Sequence, residues 1–147
     1  MRKAFLIFIS MSLVCACSGP IGPIAGGKLE GIPAPWAADW SYTDQVQNML
    51  LQTNPEDPYS VTVWLVTQNN QLYVASSSLD NQWTQNMVKE PFVVLSIEGR
   101  LFDAAAYLVE DQGEADPVIE AYLTKYEIES RDDFVQEGGV LFRLQPR

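Results

Sequence analysis

Val61-Thr62-Val63-Trp64-Leu65-Val66-Thr67-Gln68-Asn69-Asn70-Gln71-Leu72-Tyr73-Val74-Ala75 is the stretch that decides the fold. Its first six residues are almost continuously apolar and β-branched, which predicts a strand buried on both faces. Asn69-Asn70 predicts a two-residue hairpin turn, because asparagine tolerates the positive φ that such turns need. Leu72 to Ala75 is then the returning strand.

The same reading extends in both directions. Residues 46–53 are apolar in their second half and stop at Asn54-Pro55, and Glu56-Asp57-Pro58 prolongs the break. Downstream, residues 92–97 and 100–109 predict a second hairpin around Glu98-Gly99, where glycine supplies the backbone freedom of the turn. Residues 140–144 are a last strand after Gly138-Gly139. Two segments change period. Asp80 is expected to cap a short helix that carries Trp83, Met87 and Val88 on one side and ends at Pro91. Asp116-Pro117 is expected to open a longer helix, in which Val118, Ile119, Tyr122, Leu123 and Tyr126 recur at helical spacing. Six strands with two inserted helices predict a mainly β, α+β domain closed into a small barrel, since closure removes exposed edges. Trp36 and Trp40, in the proline-containing segment 31–42, are expected to pin that segment across the barrel as a packed arm.

The start of the chain reads as an address. Met1-Arg2-Lys3 is basic, residues 4–14 are apolar apart from two serines, and Val14-Cys15-Ala16-Cys17-Ser18-Gly19 follows. A positive start, a short apolar core and small residues at the cut predict a secretion signal, too short to span a membrane. The residues before Cys17 resemble a bacterial lipobox, which predicts cleavage after residue 16 and a lipid on Cys17. Anchoring by two or more acyl chains is stable, each buried CH₂ contributing about 0.8 kcal/mol. Ser18 rather than Asp after the cysteine favours the periplasmic face of the outer membrane. Residues 17–27, with four glycines and two prolines, read as a flexible tether. Residues 28–147 then form one domain, with 28–43 as its arm.

Composition excludes several chemistries. The chain is 47% apolar and 11% aromatic, enough for a core. Loss of residues 1–16 leaves seven basic residues against nineteen acids, a charge of −12, and no lysine–arginine cluster that nucleic acid would need. There is no histidine, so serine–histidine and cysteine–histidine catalysis and histidine-ligated zinc are absent. With Cys15 removed and Cys17 acylated, no disulfide or thiolate chemistry remains. Ten acids between Glu110 and Glu137 face only Lys125 and Arg131. They read as a solvated helix face, against a glycosidase-like pair or a calcium site, and no calcium-loop spacing occurs. No metal site is expected.

Ser76-Ser77-Ser78 lies between a strand and a helix. Its hydroxyls and amides either hold a phosphate or form a plain capping loop. Trp83 either stacks on a flat ring or belongs to the core.

Several local strings resemble the flavin-binding split-barrel superfamily, relatives of pyridoxamine-phosphate oxidases and deazaflavin-dependent reductases. These are Pro55 to Trp64, Leu72-Tyr73-Val74, Trp83-Thr84-Gln85-Asn86-Met87, Pro91 to Leu95, Gly99-Arg100-Leu101-Phe102 and Phe142-Arg143-Leu144. The resemblance spans roughly residues 40–147. It implies a six-stranded, flavin-reductase-like split barrel that forms a homodimer with FMN or another flavin between the copies. It implies further that Ser76, Ser77, Ser78, Trp83 and Asn86 line the flavin site, with Arg100 contributing. Where relatives that hold phosphate well carry lysine or arginine, this chain has Asp80-Asn81-Gln82, and Lys89 lies at the far end of the helix. A phosphate there forfeits charge-assisted hydrogen bonds, each worth roughly 1.5–3 kcal/mol. The expectation is therefore an envelope lipoprotein whose split barrel has weak or degenerate binding of a flavin or other small ligand and no assured catalysis. The alternatives are a flavin-dependent envelope oxidoreductase and a module that binds a basic envelope protein through its acidic region.

Overall fold

The computed structural model describes residues 18–132 and 139–147. The signal segment, Cys17 and Gly138 lie outside them. The fold grows from the two hairpins. Asn69 and Asn70 both take positive φ, 51° and 59°, and join β3 (Tyr59–Gln68) to β4 (Gln71–Ser76) with Gln68 opposite Gln71. Glu98 and Gly99 do the same, at 51° and 77°, between β5 (Phe92–Ile97) and β6 (Arg100–Leu108). Both are the left-handed turns whose twist matches that of paired strands.

β2 (Asn48–Thr53) bridges the hairpins, pairing with β3 on one side and β5 on the other. β7 (Val140–Pro146) pairs with both β4 and β6. The antiparallel sheet β6-β5-β2-β3-β4-β7 thus returns to β6 and closes a six-stranded barrel. A short extra strand, β1 (Ile32–Pro33), lies parallel to Arg100 and Leu101 of β6, beyond the part of that strand that β7 reaches.

Alternate residues fill the interior: Met49, Leu51, Val63, Leu65, Leu72, Val74, Leu95, Ile97, Phe102, Phe142 and Leu144. Trp40 is fully buried among them, with its ring centroid 5.1 Å from Phe102 and 4.8 Å from Trp36. Trp36 packs against the same core from its partly buried position. A short 3₁₀ turn (Ser41–Gln45) leads from this segment into β2.

Two helix starts differ from expectation. Asn81, not Asp80, precedes α1 (Gln82–Lys89), because its side chain turns back onto the serine loop. The buried face of α1 is Thr84 and Met87, whereas Val88 is 61% exposed and Trp83 half-buried. α2 (Gln112–Lys125) begins ahead of Asp116-Pro117. The Asp111 carboxylate accepts from the Glu114 amide at 2.8 Å and caps the helix there, so Pro117 falls inside it. Val118, Ile119 and Tyr122 of α2 bury against Val66, Tyr73 and Leu141 on the outside of the barrel. This explains why β3 is apolar on both faces.

β2 and β3 separate beyond the pair Asn48–Trp64. There the Tyr126 hydroxyl replaces the ladder: it accepts from the Leu65 amide at 3.0 Å and lies 2.8 Å from the Gln47 carbonyl and 2.9 Å from that of Leu65. Lys125 Nζ donates to the carbonyls of Leu65 (2.8 Å) and Thr43 (2.9 Å). The Tyr126 ring stacks on Trp64, with centroids 4.3 Å apart. Tyr126→Phe keeps the ring and orphans the Leu65 amide, so it is expected to cost about 1–3 kcal/mol. A urea midpoint equal to that of the unsubstituted protein would show that the hydroxyl does not hold the split.

Candidate functional site

The serine loop is built from the end of β4 and the entry to α1. Ser76 Oγ donates to the Ser78 carbonyl (3.0 Å) and receives the Asn81 side-chain amide (2.8 Å). Ser78 Oγ accepts from the Asp80 amide at 3.0 Å. Thr84 Oγ1 lies 2.8–3.1 Å from the carbonyls of Ser78, Leu79 and Asn81. Ser76 is buried and Ser77 is exposed. The loop therefore satisfies itself, as a capping loop does.

Asn86 is held as well. Its amide donates to Thr53 Oγ1 at 3.0 Å and its carbonyl oxygen accepts from Gln82 at 2.9 Å. Trp83 packs on the main core, 6.5 Å from Phe142 by ring centroid, and its other side lines a groove. Serines 76–78, Trp83 and Asn86 thus gather around α1. Arg100 does not join them. It sits at the turn end of β5–β6, with its guanidinium 5.5 Å from the Phe102 ring centroid. The length of β5, about 17 Å at ~3.4 Å per residue, separates that turn from the end of α1.

The Trp83 groove has a volume of about 260 Å³ and is lined by Tyr59, Val61, Thr62, Asn81 and Gln82. Its remaining wall is Gly22-Pro23-Ile24, from the segment expected to be a tether. Residues 18–27 form a closed loop. The Gly27 amide donates to the Ser18 carbonyl at 2.7 Å, and Ile21 and Ile24 bond each other across a turn. Gly26 and Ser60 exchange two backbone bonds of 2.9 and 2.8 Å, which fasten the loop to β3. Sequence reading missed this wall, because a glycine-rich segment carries no local signal of where it docks.

These residues do not fit a flavin phosphate. Ser76 and Thr84 turn their hydroxyls onto the loop's own carbonyls, and among the described residues no lysine or arginine lines the groove. Lys89 faces a different cleft, with Glu56, Glu90 and Arg147. The groove is also smaller than the roughly 300–1,000 Å³ usual for ligand sites. What it offers is two aromatic side chains, Tyr59 and Trp83, beside two side-chain amides.

Tyr73, at the head of the serine strand, is tied to α2 instead. Its hydroxyl donates to Glu114 at 3.0 Å, and Arg143 Nη1 lies 2.8 Å from both oxygens of that carboxylate. Burial first, and then the bond to Glu114, push the phenol up to about 12.

No family model and no curated protein matches the chain. Solved structures do. The heme storage protein HutZ of Vibrio cholerae is 21% identical, with a TM-score of 0.58 over 72% of this chain and 85% of its own. An FAD-binding protein of Mesorhizobium loti is 18% identical, with a TM-score of 0.52 over 71% and 83%. A candidate pyridoxamine 5′-phosphate oxidase from Listeria innocua is 17% identical, with a TM-score of 0.56 over 71% and 86%. The chain has the split-barrel fold of these proteins.

Two outcomes are expected. A Cβ on Gly26 lies 2.3 Å from the Gly19 backbone, so Gly26→Ala should release the loop and speed proteolysis within residues 18–27 while the barrel stays folded. Unchanged proteolysis would mean that the loop is not held at that crossing. The raised Tyr73 pKa favours the protonated phenol in the folded state. Its contribution to stability is full below about pH 10 and lost towards pH 12. Tyr73→Phe should make that alkaline fall shallower and remove one late tyrosinate step, near pH 12, from the ultraviolet titration.

Proposed function

We propose that this is an envelope lipoprotein, acylated at Cys17, on the periplasmic face of the outer membrane. Its split barrel holds a flat-ringed ligand weakly beside Trp83 and does no redox chemistry on it. The self-satisfied serine loop carries this reading. A barrel that gripped a flavin phosphate would present cations and inward-facing hydroxyl protons at the head of α1, and here Ser76 and Thr84 give theirs to carbonyls of their own loop while, among the described residues, no lysine or arginine lines the groove. The FAD-binding and heme storage neighbours support a planar, conjugated ligand class on this fold. A domain-swapped dimer among the similar structures, with a TM-score of 0.55, supports a homodimer. The Trp83 face supports ring stacking, worth roughly 0.5–1.5 kcal/mol for an aromatic pair beyond area burial.

The protein isolated from its own envelope tests both halves. Mass spectrometry should find a diacyl or triacyl group on Cys17, and an unmodified thiol there rejects the anchor. The isolated protein should be colourless, and titration should show riboflavin and FMN bound with equal, weak affinity, because no group rewards the phosphate. Stoichiometric flavin retained through gel filtration, or FMN bound at least tenfold tighter than riboflavin, would overturn the weak-binding reading and favour the oxidoreductase.

A further inference from the structure

A second cleft shares no lining residue with the Trp83 groove. It measures about 650 Å³ and runs between α2 (Pro117, Glu120, Ala121, Thr124, Lys125), the end of β3 (Val66, Thr67, Gln68) and Asp44 of the 3₁₀ turn. This is well inside the range of small-molecule sites. Nothing in the preceding proposal uses it.

Hydrogen-bond arithmetic defines what it can hold. The Thr43 hydroxyl donates its only proton to the Trp40 carbonyl at 2.7 Å, so in the 2.7 Å contact with Thr67 the donor is Thr67. The Thr124 hydroxyl donates to the Glu120 carbonyl at 2.9 Å. Both threonines therefore offer the cleft only lone pairs. Asp44 and Glu120 add carboxylates. Lys125 is the single cation in the lining, and two of its three protons go to the carbonyls of Thr43 and Leu65. One proton remains. Burial lowers the Lys125 pKa and the Asp44 charge opposes that shift, which places carboxylate and ammonium within each other's field. Val66, Pro117 and Ala121 supply the apolar wall.

The geometry points to a binding site for a zwitterionic primary amine with an aliphatic body, of the α-amino-acid type. Its ammonium, with three donors, meets the acceptors Asp44, Glu120, Thr67 and Thr124. Its carboxylate takes the remaining Lys125 proton, and its side chain lies along Val66, Pro117 and Ala121. The lining holds two acids against one base, and Arg131, which pairs with Asp116 outside the lining, reaches Glu120 only at 3.5 Å, so the ligand's ammonium is the dominant contact.

The test is a titration of the full-length, isotopically labelled protein in detergent, followed at the amides of Val66, Gln68, Ala121 and Thr124. L-leucine should shift these amides saturably. Isopentylamine lacks the carboxylate and 4-methylpentanoate lacks the amine, and each should bind at least tenfold more weakly. The double substitution Asp44→Asn, Glu120→Gln should weaken leucine at least tenfold with the barrel amides unmoved. Ala121→Phe, which fills the cleft from the helix, should abolish the shifts. No saturable shift with leucine overturns the site. Equal binding of leucine and isopentylamine overturns the carboxylate half of the assignment, and with it the proposal. Unchanged affinity in the double variant does the same.

Discussion

A single hydroxyl inserted between two strands holds the molecule's architecture together. Where β2 leaves β3, the Leu65 amide and carbonyl lose their ladder partners, and a backbone pair left dry costs more than most side-chain contacts return. Tyr126 takes the amide, and Lys125 and Tyr126 share the carbonyl. Because both residues belong to the end of α2, the barrel can open at this corner only while the helix lies against it. The second core, with Tyr122 bonded to the carbonyls of Trp64 and Tyr73, fixes the helix in turn. Splitting the barrel and docking α2 are one event. The same event creates the large cleft, whose floor is the splayed strand and whose far wall is the helix.

Charge follows the same economy. The sequence is strongly acidic, with nine basic residues against nineteen acids. Most of the described cations are engaged in structure. Arg143 clamps Glu114, Arg131 meets Asp116 and Glu120, Arg147 lies 4.0 Å over Phe92, and Lys125 stitches the split. A barrel that uses its arginines to hold a helix has few left for an anionic ligand. The absence, among the described residues, of a lysine or arginine lining the Trp83 groove and the docking of α2 are thus two views of one allocation.

What could be read from the sequence was local. Asn69-Asn70 and Glu98-Gly99 announce their turns because positive φ is a property of one or two residues, and the strands between them follow from side-chain alternation. The burial of Trp40 was legible, since a tryptophan in a proline-bounded segment has few places to go but the core. The start of α2 was misread because two aspartates compete for the cap, and Asp116-Pro117 is the more familiar signal. What decided the matter was the reach of the Asp111 carboxylate to the Glu114 amide, a geometry that pattern alone does not rank. Grouping Arg100 with the serine loop failed for a topological reason. A hairpin turn and the start of the same hairpin lie a strand's length apart. The Tyr126 hydroxyl and the Gly26–Ser60 bridge join residues 61 and 34 positions apart, and no local feature foretells either.

The loop of residues 18–27 bears on the proposed anchor. As an extended tether its ten residues would reach roughly 35 Å and isolate the domain from whatever holds Cys17. Closed by the Gly27–Ser18 bond and fastened at Ser60, it returns its first residue to the foot of the barrel. On the proposal that Cys17 is acylated, the domain is therefore held close to the bilayer instead of standing clear of it. The wall of the Trp83 groove is part of the same ten residues. A ring bound beside Trp83 and the uncharged turn of Ile21 to Ile24 compete for the same surface. On the proposal that the groove binds its ligand weakly, this is a physical reason for it that does not depend on charge.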